Sequence, residues 1–185
     1  MKQKTNISKM TLSAMFLAVA YILPFFTGQI PQIGNMLCPM HIPVFLCGFV
    51  CGGSWGLLVG FLTPLLRSVT MGVPVMFPIA LCMAFELAVY GLTTGSLYRK
   101  LPKKKICIYA ALMVSMIVGR LAWGIMMFLC MGINGENFGM SAFLAGAVTN
   151  AVPGIILQLI IVPIMVMGLD IKNNSVKMKY YKEDR

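Results

Sequence analysis

The sequence predicts an all-α integral membrane protein with six transmembrane helices and both termini in the cytoplasm. Charged residues make up only 11% of the 185 residues, against about 25% in soluble domains. Several apolar runs reach the roughly 18 residues that a membrane helix needs, whereas transmembrane strands would give alternating segments of about 10 residues. We therefore assign residues 1–169 to a single membrane domain and residues 170–185 to a polar, basic cytoplasmic tail.

The positions of the cations predict the orientation. Thirteen of the fifteen Lys and Arg residues lie before the first span, in a central loop or in the tail. This is the positive-inside distribution of a multispanning protein. The net charge of +10 therefore indicates contact with anionic lipid headgroups rather than a nucleic-acid site. The three groups are Lys2, Lys4 and Lys9; Arg99, Lys100, Lys103, Lys104 and Lys105; and Lys172, Lys177, Lys179, Lys182 and Arg185.

Span 1 is predicted at Met10–Phe26 and carries a pair of small residues. Ala14 and Ala18 are four positions apart, so they share one helix face and allow another helix to approach closely. That second helix belongs either to the same protein or to a partner subunit. The outer loop that follows, Thr27–His41, contains Asn35 and ends on the only histidine of the sequence. A loop so rich in proline, glycine and apolar residues suits a partly ordered cap over a cavity.

Spans 2 and 3 are predicted at Ile42–Cys51 and Trp55–Met71. Glycines recur at every fourth position across the turn between them, which predicts two short helices in close contact. Arg67 lies about one turn from the outer end of span 3. Its side chain is expected either to reach the interface or to point into a cavity. The glycines are Gly48, Gly52, Gly56 and Gly60.

The second half of the chain is predicted to hold three further spans. Span 4 covers Val75–Leu97 and span 5 covers Ile106–Met131, with the basic loop between them on the inner side. An outer loop at residues 134–137 has one anion and no cation, as the charge rule requires. Span 6 covers Ser141–Leu169 and returns the chain to the cytoplasm.

Three polar residues fall at one depth in spans 4 to 6. Glu86 lies about 16 Å below the outer end of span 4, Arg120 about 16 Å below that of span 5, and Asn150 about 13 Å into span 6. Charges inside a membrane cost several kcal/mol. Tyr90 follows Glu86 at i+4, and Trp123 lies one turn above Arg120. These residues are therefore the candidates for a functional site.

Two interpretations of this set remain open. In the first, Glu86 and Arg120 only neutralise each other and lock spans 4 and 5 together. In the second, they line an outward-facing pocket for a small polar ligand, with Asn150, Tyr90 and Trp123 around it. If Arg67 also faces that pocket, the site carries excess positive charge and favours a ligand with a carboxylate.

The sequence lacks the motifs of several enzyme classes. It has no glycine-rich phosphate loop followed by Lys-Ser/Thr, and neither an HExxH nor a GxSxG motif. We therefore expect no catalytic residue, no metal site and no cofactor in this chain. Its six cysteines show neither zinc nor disulfide spacing and are interpreted as packing residues. They are Cys38, Cys47, Cys51, Cys82, Cys107 and Cys130.

Over residues 10–169 the sequence resembles the substrate-binding S components of energy-coupling factor (ECF) vitamin transporters. No single motif is specific, but their order and spacing together are. The stretch from His41 to Glu86 is most similar to the pantothenate subgroup. The matching parts are Ala14-x-x-x-Ala18, Pro39–Val44, the turn Cys51–Gly56 leading into Leu57–Leu66, and Glu86–Leu92 with the basic loop after it.

The resemblance implies a mechanism. Such a subunit sits in the bacterial plasma membrane and binds a vitamin or related metabolite from outside. It uses loop 1, which here contains Asn35, together with loop 3 and spans 4 to 6. It then docks, through the surface that maps to Ala14 and Ala18, on a transmembrane coupling subunit that carries two ATPases. ATP is thus used by the partners. Alternatives from other classes are a membrane enzyme or accessory factor of lipid or isoprenoid metabolism, and a self-sufficient small transporter.

Overall fold

The computed structural model describes residues 2–27, 39–102, 105–133 and 152–183. Within these ranges the chain forms six α-helices and no strand, in agreement with the predicted all-α class. A 3₁₀ turn, Leu23–Thr27, follows the first helix, and a π-helical turn, Met76–Ala80, precedes the fourth. The helices are α1 (Lys2–Ile22), α2 (His41–Cys51), α3 (Gly53–Met71), α4 (Leu81–Lys100), α5 (Lys105–Ile133) and α6 (Val152–Glu183).

The ends of three helices differ from the predicted spans. Helix α1 begins at Lys2, so the basic start is helical, and α4 continues to Lys100, which places the first two cations of the basic loop on the helix. The first part of predicted span 6, residues 141–151, lies outside the described residues. Helix α6 continues beyond Leu169 to Glu183. Hydropathy marks where a helix leaves the apolar layer, but a helix can continue past that point when its polar residues are good helix formers.

Four described helices are long and apolar enough to cross a membrane. The helix α2 is shorter, at 11 residues, and apolar. Large apolar side chains are exposed on the helix faces that point away from the core, as Val69 and Ile106 illustrate. The described part of the chain therefore presents an apolar surface suited to lipid. The four candidate spans are Asn6–Phe25, Met76–Lys100, Lys105–Gly132 and Val152–Leu169.

Helices α2, α3 and α4 pack backbone to backbone at a column of glycines. A Cβ added at Gly56 would lie 2.7 Å from the carbonyl oxygen of Gly91 and 2.9 Å from the Cα of Gly48. Both distances are shorter than real Cβ contacts, so no other residue fits there without a backbone shift. The predicted close contact of α2 and α3 is confirmed. Helix α4 packs against the same place through Gly91 and Gly95. This packing fixes the height of α4 relative to α2.

The turn between α2 and α3 is closed by a cation from α4. Gly52 adopts φ 102°, which favours glycine, and its N–H donates to the carbonyls of Cys47 and Gly48. The Arg99 side chain donates to the carbonyl of Cys51 at 3.1 Å. A cation at a helix C-terminus is favourable because the last carbonyls carry partial negative charge. The C-terminal ends of α2 and α4 are therefore joined as well as their centres.

A buried Glu–Arg–Tyr cluster as the candidate functional site

Glu86 is the centre of the polar cluster, and it is only 2% exposed. Its Oε1 accepts a hydrogen bond from the Tyr90 hydroxyl at 2.7 Å, one turn along α4. The same oxygen lies 3.0 Å from Nη1 of Arg120 on α5. Two charge-assisted contacts thus offset the free-energy cost of burying the ionised carboxylate. The equal depths predicted from the sequence for Glu86 and Arg120 agree with this contact.

A glycine beside Arg120 makes room for the Tyr90 ring. A Cβ at Gly119 would meet that ring, with the Tyr90 Cζ at 3.0 Å. The ring also packs against Phe45 of α2, with centroids 4.8 Å apart. Tyr90 is thereby held between α2 and α5 with its hydroxyl directed at Glu86. The i, i+4 spacing of Glu86 and Tyr90 predicted a shared face, and the neighbouring helices decide how the ring is oriented.

His41 completes the described cluster and was missed as a candidate in the sequence. It is the first residue of α2 and is 1% exposed. Its Nε2 lies 3.8 Å from Oε1 of Glu86, and its ring centroid lies 5.4 Å from that of Tyr90. In the sequence it is distinguished only as the single histidine, at the end of the predicted first outer loop. The available signal was a polar side chain at the first position of an otherwise apolar helix.

The Glu86–Arg120 pair is not explained by stability alone. Moving two charges out of water costs several kcal/mol per ion. The attraction within a buried ion pair offsets this cost only when the geometry of the pair is very good. Well-packed apolar residues of similar volume are often as stable or more so. The presence of the pair in a membrane segment therefore points to a role in ligand binding or in specifying how α4 and α5 pack.

Trp123 lies beside a second small cluster between α4 and α5. It is partly buried and packs against Cys82, Met127 and Cys130. The sulfur atoms of Cys82 and Cys130 are 3.9 Å apart. Sequence spacing could not have paired these cysteines because they lie on different helices. Cys82 precedes Glu86 by one turn of α4, so the cluster is adjacent to the charged site.

Arg67 makes a different set of contacts from the one expected of a pocket residue. It is 4% exposed. Its Nε donates to the carbonyl of Val73 at 3.1 Å, and its Nη1 donates to the carbonyl of Tyr21 at 3.3 Å. Its guanidinium also lies 5.5 Å from the centre of the Phe25 ring. These contacts tie the ends of α1 and α3 together. The described cluster around Glu86 consequently holds one arginine and one glutamate.

Two of the predicted site residues, Asn35 and Asn150, lie outside the described residues. Within the described ranges, no three His, Cys, Asp or Glu side chains are arranged to hold a metal ion. The structure therefore brings together Glu86, Arg120 and Tyr90 from the predicted set and adds His41.

The fold and this site define a class: a multi-pass helical membrane protein with a buried, charge-paired polar cluster between its helices. A family model described as "ECF transporter, substrate-specific component" matches residues 8–166. The chain belongs to that family, and the resemblance noted from the sequence is confirmed at this level. It is thus a multi-pass protein of the cell membrane and a substrate-specific component of a transporter. No curated protein and no solved structure matches the sequence significantly.

Proposed function

We propose that this protein captures a small carboxylate-bearing metabolite of the vitamin class from outside the cell and delivers it inward with a separate ATP-driven module. The observation that supports this most is the buried cluster of Glu86, Arg120 and Tyr90 within membrane-spanning helices. A polar cluster of this kind is costly in a membrane and typical of a substrate site. Asn35, Asn150 and Trp123 are proposed to complete the site, and Arg67 to hold its outer rim.

The exposure of the two charged residues favours an anionic ligand. The side chain of Arg120 is 17% exposed and that of Glu86 is 2% exposed. A ligand that approaches the cluster therefore meets the guanidinium first. A guanidinium carries five N–H donors and binds carboxylates in a planar, two-bond geometry. In this proposal the ligand carboxylate binds Arg120, and Glu86 holds the guanidinium in place. The similarity to the pantothenate subgroup makes pantothenate the first compound to test.

The proposed partner is a transmembrane coupling subunit that carries two ATPases. Helix α1 packs inward through Ser13 and Ala20, which are buried. Ala14 and Ala18 lie on its exposed face, beside Met15 and Val19. In the described residues this small-residue surface is not used for packing within the chain. It is suited to close approach by a helix of the coupling subunit. ATP would be hydrolysed by the partners, with no cofactor in this chain.

The proposal includes six spans with both termini in the cytoplasm. Helices α2 and α3 would form the two short spans, and the chain between residues 133 and 152 would return through the outer side. Single cysteines at positions 101 and 135 should then react with membrane-impermeant reagents from opposite sides. Gly135 lies outside the described residues, so this labelling is an independent test of the orientation. Reaction from the same side would contradict the topology.

The proposal is tested by ligand binding to the purified protein. Trp123 is the proposed fluorescent reporter, and Trp55 provides the background, so the measurement uses the Trp55→Phe variant, which leaves Trp123 as its only tryptophan. The panel contains pantothenate, other carboxylate-bearing vitamins and vitamins without a carboxylate. Saturable binding of one carboxylate compound at submicromolar concentration supports the proposal. Selective binding of a compound without a carboxylate would overturn the assignment of Arg120.

Dependence on the partners needs a separate experiment. The protein is reconstituted in vesicles with and without the coupling subunit and its ATPases. We expect ATP-dependent uptake of the compound identified above only when the module is present. Uptake by the protein alone would contradict the proposed division of labour and favour a self-sufficient transporter.

A further inference from the structure

The structure contains a buried imidazole with no hydrogen bond from the described residues. His41 is 1% exposed, and neither ring nitrogen has a hydrogen-bond partner in this part of the chain. Its Nε2 lies 3.8 Å from Oε1 of Glu86, a separation that exceeds hydrogen-bond length. Its Nε2 faces that carboxylate, so its Nδ1 is on the other side of the ring. A neutral imidazole offers one donor and one acceptor.

Aromatic and apolar side chains pack around this ring. Its centroid lies 5.4 Å from that of Tyr90, and the planes are tilted by 54°. The next three residues, Ile42, Pro43 and Val44, are also buried. A buried polar group without a partner costs free energy that an apolar residue of the same size would recover. An imidazole at this position is therefore expected to have a partner that is present only part of the time.

The start of α2 adds a second feature to the same place. Met40, the residue before the helix, provides no side-chain hydrogen bond to the first turn. The first N–H groups of a helix have no partner within the helix and carry partial positive charge. Pro43 removes one of these donors, which leaves the N–H groups of His41 and Ile42 at the helix end. Together with the imidazole, these groups are suited to an oxygen atom of a ligand.

We infer that His41 and the N-terminus of α2 form a second contact region of the ligand site, next to the Glu86–Arg120 pair. This rests on the proposed function. Arg120 binds the ligand carboxylate, and His41 binds a hydroxyl or amide oxygen of the same molecule. The ligand class becomes narrower: a carboxylate that also carries a hydroxyl or amide group a few bonds away. His41 then determines specificity, because a ligand lacking that group leaves the imidazole unpaired.

The first test needs no ligand. His41→Leu replaces the imidazole with an apolar side chain of similar volume. We expect the melting temperature of the ligand-free protein to rise by at least about 2 °C, because the unpaired buried group is removed. A fall in melting temperature would overturn the inference, since it would show that the imidazole is paired within the protein, with Glu86 as the nearest candidate.

The second test compares affinities for the panel compound that saturates the wild-type protein, beginning with pantothenate. We expect His41→Leu to weaken binding at least tenfold. His41→Asn, whose amide can replace Nδ1, should retain more affinity than His41→Gln, whose amide replaces Nε2. Phe49→Leu is the matched control. Phe49 is buried on the same helix against Tyr98, so this variant should lower the melting temperature and leave affinity unchanged.

The outcomes separate this inference from the proposed function. Unchanged affinity in His41→Leu, with wild-type binding intact, overturns the role of His41 and leaves the proposed function standing. If the wild-type protein binds no compound of the panel, the proposed ligand class is wrong. The melting temperature of His41→Leu still decides whether the imidazole is paired within the protein.

Discussion

Oε1 of Glu86 and Nη1 of Arg120 lie 3.0 Å apart across the contact between α4 and α5. Glu86 is more deeply buried than Arg120. The carboxylate also accepts a hydrogen bond from the Tyr90 hydroxyl. The Tyr90 ring is held in place by packing against Phe45 of α2. The cluster around this oxygen atom therefore involves side chains of three helices. The predictions below test what this cluster contributes to stability and to ligand binding, and then the packing and docking surfaces around it.

Removing one partner of the buried pair should be strongly destabilising, whereas removing both should not. Glu86→Leu leaves the Arg120 guanidinium without its counter-charge and should lower the free energy of unfolding by about 3–5 kcal/mol. The double variant Glu86→Leu/Arg120→Met should recover most of that loss because no charge remains buried. Thermal unfolding in one detergent provides the comparison. A double variant as unstable as the single one would show that the pair is needed for packing.

Arg120 should contribute directly to ligand binding. Arg120→Ala is expected to weaken binding of the panel compound at least tenfold, on the order of 1.4 kcal/mol. Arg120→Lys keeps the charge but loses the planar two-bond geometry, so it should restore affinity only in part. Fluorescence titration of Trp123 measures both variants. Wild-type affinity in Arg120→Ala would leave the ion pair with a structural role only.

The glycine column between α3 and α4 should not accept a methyl group. Gly56→Ala places a Cβ 2.7 Å from the backbone oxygen of Gly91. The helices must then separate, and overpacking of this kind costs about 1–3 kcal/mol. Gly132→Ala on α5 is the matched control, since none of the residues that the structure describes lies within 4 Å of its added Cβ. That change should be neutral or stabilising by up to about 1 kcal/mol. Equal melting temperatures for the two variants would contradict the close packing.

The exposed alanine face of α1 should be required for transport and dispensable for binding. Ala14→Glu or Ala18→Glu should abolish uptake through the coupling module while affinity for the panel compound is kept. Ile117→Glu on α5 is the control. Ile117 is 58% exposed, so this substitution places the same charge on the exposed face of a different helix. If the α1 variants lose ligand binding as well as uptake, while Ile117→Glu keeps both, the alanines make a folding contact and do not form a docking surface.

The contact between Cys82 and Cys130 gives a direct test of how α4 and α5 are rotated. Their sulfur atoms are 3.9 Å apart, so a modest movement brings them to the roughly 2.05 Å of a disulfide. Treatment with a copper–phenanthroline oxidant should link the two peptides, as detected by mass spectrometry after proteolysis. The Cys130→Ser variant should give no such product. A link from Cys82 to another cysteine instead would contradict the packing.

Several features of the protein could be predicted from the sequence because they are properties of one segment at a time. Apolar runs and the scarcity of charge predicted the membrane class, which the family match and the four long apolar helices support. The equal depths predicted for Glu86 and Arg120 agree with their contact. The i, i+4 spacing of Glu86 and Tyr90 placed both on one face of α4.

Other features depended on how the helices are rotated against one another. Three contacts join residues from different helices: His41 with Glu86, Cys82 with Cys130, and Arg67 with the Tyr21 carbonyl. Helical periodicity gives a residue's depth and its face within one helix. It does not give the rotation of that helix toward its neighbours, which the backbone contacts of Gly48, Gly56 and Gly91 decide. Sequence thus predicted that Glu86 and Arg120 lie at the same level of two apolar helices, and only the tertiary packing decided which groups meet them.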